Sequence, residues 1–229
     1  SLKMGNGVNS DSAYDYNGNI LRMQQWGLKG LVNEQIDDLR YTYGDNSNLL
    51  KNVIDIHNDP LTVNGDFRSS QVYMAALGGT KTNLAVDYAY DGNGNLLKDL
   101  NKDITDDSYD GIEYNYLNLP SIIRVKNKGT VEFQYDATGN KIKKTVKESG
   151  KPDKVTLYLS GLVFENDTLQ LIAHEEGRMR PVGDSIIAYD YFIKDHLNNI
   201  RAMITNEERA NDAYQASIED NRREIETQL

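Results

Sequence analysis

Apolar and polar residues alternate along most of this chain, and the alternation is interrupted by short polar turns. Val131, Phe133 and Tyr135 share one parity, with Glu132 and Gln134 on the other. Val86, Tyr88 and Tyr90 repeat that pattern, as do Ile112 and Tyr114. After the turns it resumes at Leu96 and Ile142, with Val146 on the parity of Ile142. A period of two is the mark of a strand with one face buried. The pattern therefore predicts an all-β chain of consecutive antiparallel β-hairpins, each unit being strand, five-residue turn, strand.

The turns themselves repeat. Tyr14-Asp15-Tyr16-Asn17-Gly18-Asn19 returns as Tyr90-Asp91-Gly92-Asn93-Gly94-Asn95 and as Tyr135-Asp136-Ala137-Thr138-Gly139-Asn140. Three degenerate copies keep the register. In the copy from Tyr43, Gly44 replaces the Asp and Ser47 the Gly. In the copy from Tyr114, Asn115 stands at the Asp place and Asn118 at the Gly place. In the copy from Lys194, Asp195 is kept, Asn198 takes the Gly place and Asn199 closes the motif. An Asp or Asn at the second position accepts a hydrogen bond from a backbone N–H two residues on. Gly tolerates positive φ without steric cost, and Asn is the next most tolerant residue. The tightest spacings between copies, 24 and 21 residues, are the length of one hairpin unit.

Two segments depart from this pattern. Between residues 50 and 85 it lapses, with turn signals at Asn58-Asp59-Pro60, Asn64-Gly65-Asp66 and Gly78-Gly79-Thr80. Imperfect strands are the favoured reading there, with an irregular insertion as the alternative. From Asn206 onward the chain is rich in Glu, Arg, Ala and Gln, and Tyr214, Ile218, Ile225 and Leu229 form a narrow helical stripe. The chain thus divides into an N-terminal end that looks cut (1–12), turn-motif hairpins (13–150), a distinct hairpin stretch (151–205) and a C-terminal α-helix (206–229).

Composition narrows the functional classes. Tyr is over-used, 15 against 4 Phe and 1 Trp, which suits sheet faces with the ring inside and the hydroxyl at a wet edge. A net charge of -10 argues against nucleic acid, which needs a Lys/Arg surplus on a surface. The densest basic run, Lys141, Lys143, Lys144 and Lys147, reads as the solvated side of a strand. The absence of cysteine removes disulfides, thiolate zinc sites and Cys nucleophiles together. No apolar stretch approaches the ~20 residues of a membrane helix, and the start has no signal-peptide core.

The repeated motif resembles the RHS or YD repeat. The stretches Tyr158-Leu159-Ser160-Gly161-Leu162-Val163-Phe164-Glu165, Glu175-Glu176-Gly177-Arg178-Met179-Arg180-Pro181 and Tyr189 to Arg201 resemble the RHS repeat-associated core of Bacteroidetes-type proteins. That family's pattern is Asp-His-Leu-Gly-Asn-x-Arg, so Asn198 is a departure. The resemblance covers roughly residues 13–205. It implies a curved, spiralling sheet that forms a segment of a hollow RHS/YD shell. It also implies a secreted or cell-surface bacterial protein whose partners are the remainder of the parent RHS protein and a variable C-terminal effector, commonly a toxin. The family's aspartyl self-cleavage motif is not found, so no catalytic residue is carried over.

Other candidate chemistry is incomplete at each position. Asp91-Gly92-Asn93-Gly94-Asn95 supplies calcium-ligand spacing at three positions, but Leu96 and Lys102 stand where an EF-hand needs Gly and Glu. His57, His174 and His196 lack the partners of a zinc site or a triad. No phosphate loop, dinucleotide fingerprint or nucleophile elbow is present. No catalytic, metal or cofactor site is expected. The alternative is a carbohydrate-binding or adhesive surface, in which Trp26 and the tyrosines stack on sugars. A glycan-active enzyme is weaker still, because the Asp residues sit mostly in turns. Recognisable and imperfect units together suggest roughly 12 to 14 strands, and open sheets beyond ~10 strands curl. Exposed edges then favour self-association, or cover by the tail helix around Tyr214 and Ile218.

Overall fold

The computed structural model describes residues 1–29, 32–57, 67–183 and 186–207. The chain is built from two units, Ser1–Tyr158 and Leu159–Leu229. Both are antiparallel β, and within each sheet hydrogen-bonded neighbours are consecutive in sequence.

The first unit opens with a four-stranded meander: β1 (Leu2–Met4), β2 (Arg22–Lys29), β3 (Val32–Tyr43) and β4 (Leu50–Asp55). A short helix, α1 (Gln71–Ala76), follows, capped by the Ser70 side chain accepting from Tyr73 N. A separate hairpin comes next, β5 (Tyr88–Tyr90) with β6 (Leu96–Asp99). The unit then runs through β7 (Ile112–Tyr114), β8 (Pro120–Val125), β9 (Gly129–Tyr135), β10 (Lys141–Glu148) and β11 (Lys154–Leu159) as consecutive antiparallel neighbours. The second unit has the same construction in β12 (Leu162–Glu165), β13 (Thr168–His174), β14 (Gly177–Pro181), β15 (Ile187–Lys194) and β16 (Ile200–Thr205).

The all-β hairpin architecture expected from the alternation is therefore present, and several local expectations need correction. Among the described residues between 50 and 85, no strand follows β4, so the imperfect strands favoured there are not seen at 56–57 or 67–85, and residues 58–66 lie outside the described residues. β4 ends at Asp55, and α1 occupies 71–76. Residues 2–4 form a paired strand, β1, with Leu2 opposite Gln25. Val86 is exposed while Asp87 is fully buried, so β5 begins only at Tyr88 and the expected parity fails there. The basic run does not lie on one side of a strand: Lys143 stands opposite Gln134 and Lys144 opposite Phe133. Directly opposed residues share a face, so the run is split between faces. The C-terminal helix expected over 206–229 lies almost entirely outside the described residues.

One recurring device interrupts the alternation beside the turns. After each turn the register shifts by a residue: Tyr90 pairs with Leu96 while Ala89 pairs with Lys98, and Tyr135 pairs with Lys141 while Gln134 pairs with Lys143. The same shift separates Tyr114↔Pro120 from Glu113↔Ile122, and Lys194↔Ile200 from Ile193↔Ala202. Each is a β-bulge, which places two residues against one and interrupts simple alternation. Ile142, at such a bulge, is exposed.

Among the described residues few apolar side chains are buried: Ala13, Ile36, Leu39, Val53 and Ile112 in the first unit and Ala188 in the second. The largest fully buried side chains are polar, namely Asn52, Asn101, Asp37, Asp87 and Asp190. Buried polar groups are tolerable only when satisfied, so hydrogen-bond networks carry much of what a larger apolar core would do elsewhere.

Candidate functional site

The turn motif builds the same object five times. The carboxylate Oδ1 of Asp15 accepts from the backbone N–H of Asn17 at 2.9 Å and of Asn19 at 2.8 Å, and Oδ2 accepts from Asn19 Nδ2 at 2.8 Å. Asp91 repeats this with Asn93 and Asn95. Asp136 repeats it with Thr138 and Asn140. Asp195 repeats it with Leu197 and Asn199. Asn115 uses its carbonyl oxygen in the same way, accepting from Leu117 and Leu119. The residue at the Gly place has positive φ in every case: 84° at Gly18, 85° at Gly94, 89° at Gly139, 57° at Asn118 and 63° at Asn198.

These bonds favour the charged carboxylate. The Asn140 side chain, then Thr138, holds the carboxyl of Asp136 down at about 2 from its ordinary 3.8. Asn19, Asn95 and Asn199 depress Asp15, Asp91 and Asp195 in the same direction. Both oxygens of Asp91 are engaged by donors of its own turn, so the calcium-like spacing serves the turn.

The copy from Tyr43 is one residue longer than its alignment suggested. Gly44 N donates to Leu49 O, and Tyr43 pairs with Leu50 seven positions on, where the other copies pair six positions on. The left-handed residue is Asn46, with φ 53°, in place of Ser47. Ser47 Oγ instead accepts from Leu49 N.

The first position of the motif has a function that the alternation does not reveal. The Tyr43 hydroxyl donates to Ile20 O, Tyr90 to Leu50 O, Tyr114 to Leu96 O and Tyr135 to Pro120 O, each at 2.9 Å. Each acceptor is the first residue after the preceding turn. Five successive copies are thereby joined into a ladder. Burial pushes the phenols of Tyr43, Tyr90, Tyr114 and Tyr135 above their ordinary value of 10.0. A second set of bonds joins neighbouring turn tips in two pairs. Asn17 and Asn19 both donate to Asn48 Oδ1, and Asn93 and Asn95 both donate to Asn118 Oδ1. The sequence signal for the ladder was the recurrence of Tyr ahead of the Asp. Nothing local marks the hydroxyl's partner, which belongs to the previous copy.

In the second unit, β14 and β15 meet at Asp190. Its fully buried carboxylate accepts from Arg178 Nε at 2.9 Å and Arg180 Nε at 2.8 Å. Arg180 first, then Arg178, drives the Asp190 carboxyl far below the usual carboxylate range. Arg180 also reaches Glu207 at 2.5 Å. Arg201 pairs with Asp195 at 2.7 Å, tying the last turn to its following strand.

The histidines do not converge. His57 and His196 are exposed, and His174 Nδ1 accepts from Glu176 N while its ring meets Tyr191 edge-on. Among the described residues no group of three or more His, Asp or Glu is placed to hold a metal ion. A cleft of about 690 Å³ is lined by loop 105–107 and the ends of β8, β9 and β10. Two of its lysines are already paired, Lys126 with Asp107 and Lys147 with Glu132, both at 2.6 Å. No described helix is long and apolar enough to cross a membrane. No protein-family model matches the chain, and no curated protein matches it in sequence.

Proposed function

We propose that this chain is a structural segment of an RHS/YD-type repeat protein. In this reading it is a length of wall in a β-shell that encloses or presents a C-terminal effector, and it catalyses no turnover of its own. The observation that carries the reading is the tyrosine ladder. Every ladder hydroxyl is spent on the backbone of the preceding copy, so each repeat is completed by its neighbour. That is the physics of repeat arrays, where stability is the sum of units and their nearest-neighbour interfaces. The motif's polar side chains are turned to the same end. The carboxylates close turns, and the asparagines bridge turn tips. Arg178, Arg180 and Asp190 fix adjoining strands.

The exposed apolar side chains of β16, among them Ile200, Met203 and Ile204, suit further packing of the same kind. The partners are then the rest of a parent RHS protein and its effector, at a secreted or cell-surface location. The test is limited proteolysis of that parent. The effector should resist protease while the wall is intact and become sensitive when Tyr90 and Tyr114 are changed to Phe. Equal sensitivity in both would contradict the proposal.

One observation favours a second reading, a glycan-binding surface. Tyr16 and Tyr116 occupy the same motif position and present exposed rings, which sugars stack on. A glycan array with binding lost in Tyr16→Ala and Tyr116→Ala would favour that reading over the shell.

A further inference from the structure

Between α1 and the end of β6 lies a cluster that the repeat does not require. Lys81 is almost wholly buried, and its Nζ sits 2.7 Å from Asp87 Oδ2. The same Nζ donates to Asn101 Oδ1 at 2.5 Å and to Ser69 Oγ at 3.2 Å. Ser69 Oγ donates to Asn101 Oδ1 at 2.7 Å. Asn101 Nδ2 in turn donates to Asp87 Oδ2 at 3.0 Å and to Tyr88 Oη at 3.2 Å. Asp87 is anchored from three further sides, by Tyr73 Oη, Asn52 Nδ2 and Val53 N. Asp87 and Asn52 are fully buried and Asn101 nearly so. The rings of Tyr73 and Phe67 flank the amine, with centroids 5.5 and 6.0 Å from Nζ.

An ion pair alone needs only Lys81 and Asp87. What is added is a carboxamide whose carbonyl faces the amine and whose NH₂ faces the same carboxylate oxygen that the amine touches. One oxygen, Asp87 Oδ2, thus bridges a nucleophile and a leaving group. A hydroxyl donor, Ser69, points at the oxygen where charge would develop. Burial draws the Lys81 ammonium below its ordinary 10.5 against the opposing hold of Asp87. A desolvated lysine beside a proton acceptor is an activated nucleophile, and a preorganised donor at a developing oxyanion is the strongest common device for acyl transfer.

We propose that Lys81 and Asn101 form an intramolecular isopeptide bond, with Asp87 as proton shuttle and Ser69 as oxyanion donor. Lys81 passes a proton to Asp87 Oδ2. The neutral Nζ attacks Asn101 Cγ, forming the Nζ–Cγ bond and placing negative charge on Oδ1, held by Ser69. Asp87 gives its proton to Nδ2 and then takes the second proton from Nζ. The carbonyl reforms, the Cγ–Nδ2 bond breaks and ammonia leaves. No oxidant or co-reactant is needed, and the reaction runs once on the chain itself. The bond spans residues 81–101 and so closes a ring around the β5–β6 hairpin. In a chain without cysteine it supplies the covalent closure that a disulfide would give elsewhere.

The test is the mass and peptide map of the natively folded, purified chain. The intact mass should be lower than the sequence mass by one ammonia. Trypsin should fail to cut after Lys81 and should release a branched peptide joining Lys81 to Asn101. Lys81→Arg should restore the full mass and lower the melting temperature. Succinimide formation at an Asn-Gly pair also loses ammonia but leaves Lys81 cleavable. A folded wild-type chain with a free, cleavable Lys81 therefore overturns the proposal. Loss of one water with Lys81 joined to Asp87 would also overturn it, because Asp87 would then be the acceptor and not the shuttle. Both outcomes are read from the unmutated chain, so the test does not depend on whether the Lys81→Arg variant folds.

Discussion

The hydroxyl of Tyr90 donates to the backbone carbonyl of Leu50 at 2.9 Å, across 40 positions of sequence. The segment between them holds α1, an irregular stretch and none of the turn motif. The repeat therefore resumes in register with its predecessor after a long interruption. That makes the segment an insertion into an otherwise continuous ladder.

The ladder predicts a uniform cost of removal. Tyr90→Phe and Tyr114→Phe each leave a backbone carbonyl without its donor, and each should lower stability by about 1 kcal/mol. Leu96 joins the two sites, as the strand partner of Tyr90 and the acceptor for Tyr114, so the double variant should depart from additivity. Urea unfolding monitored by circular dichroism reads both. Unchanged midpoints would show that these carbonyls are equally well served by water.

The left-handed turn residue gives a second test. Gly139 has φ 89°, and an added Cβ would lie 3.3 Å from Leu119 Cδ1. Gly139→Val combines left-handed strain with β-branching and should destabilise by ~1 kcal/mol or more. Gly139→Asn should be milder, because Asn118 and Asn198 already hold that place in other copies. Equal melting temperatures for the wild type and the Val variant would count against the turn geometry.

The pH dependence follows from the depressed carboxylates. The folded-state value of Asp136, about 2, lies below its ordinary 3.8. Its contribution is thus fully present above that ordinary value and is lost as pH falls through the folded value. Asp15, Asp91 and Asp195 shift in the same direction. Turn amides of Asn19, Asn95, Asn140 and Asn199 should lose protection as pH drops from the ordinary 3.8 toward about 2. The ladder phenols are shifted the other way, above 10.0. Their contribution is complete below that value and is lost as pH rises through the folded values, so a second transition belongs at the alkaline end. Flat stability across the acid range would contradict the role given to the carboxylates.

Much of this was legible in the sequence. The Asp and Gly places of the motif are local chemistry, with donor and acceptor within four residues, so Asp15, Asp91, Asp136 and Asp195 announce their turns. Asn46 in place of Ser47 was missed because an added loop residue moves the left-handed position without changing composition. The bulges were missed because a register shift belongs to two strands, and one strand's alternation cannot show it. The buried set of Asn52, Lys81, Asp87 and Asn101 was invisible for a related reason. Each residue looks like an ordinary turn or surface residue until the β5–β6 hairpin meets β4 and the 67–81 segment.

The proposed absence of turnover is also open to test. Asp195→Asn and His196→Ala sit in an exposed turn whose carboxylate is occupied by Asn199 and Arg201. Both should alter stability alone, and the chain should show no hydrolase, nuclease or transferase activity. Turnover of a defined substrate that either variant abolishes would refute the structural role.

A cryo-electron microscopy reconstruction of the parent protein containing this chain would decide the proposed role. Residues 13–205 should lie within the wall of a hollow β-shell. Further hairpins should continue the strip, and density for a C-terminal segment should lie inside. A separate module, with no sheet continuing from β16 and no enclosed volume, would contradict the assignment to a shell wall.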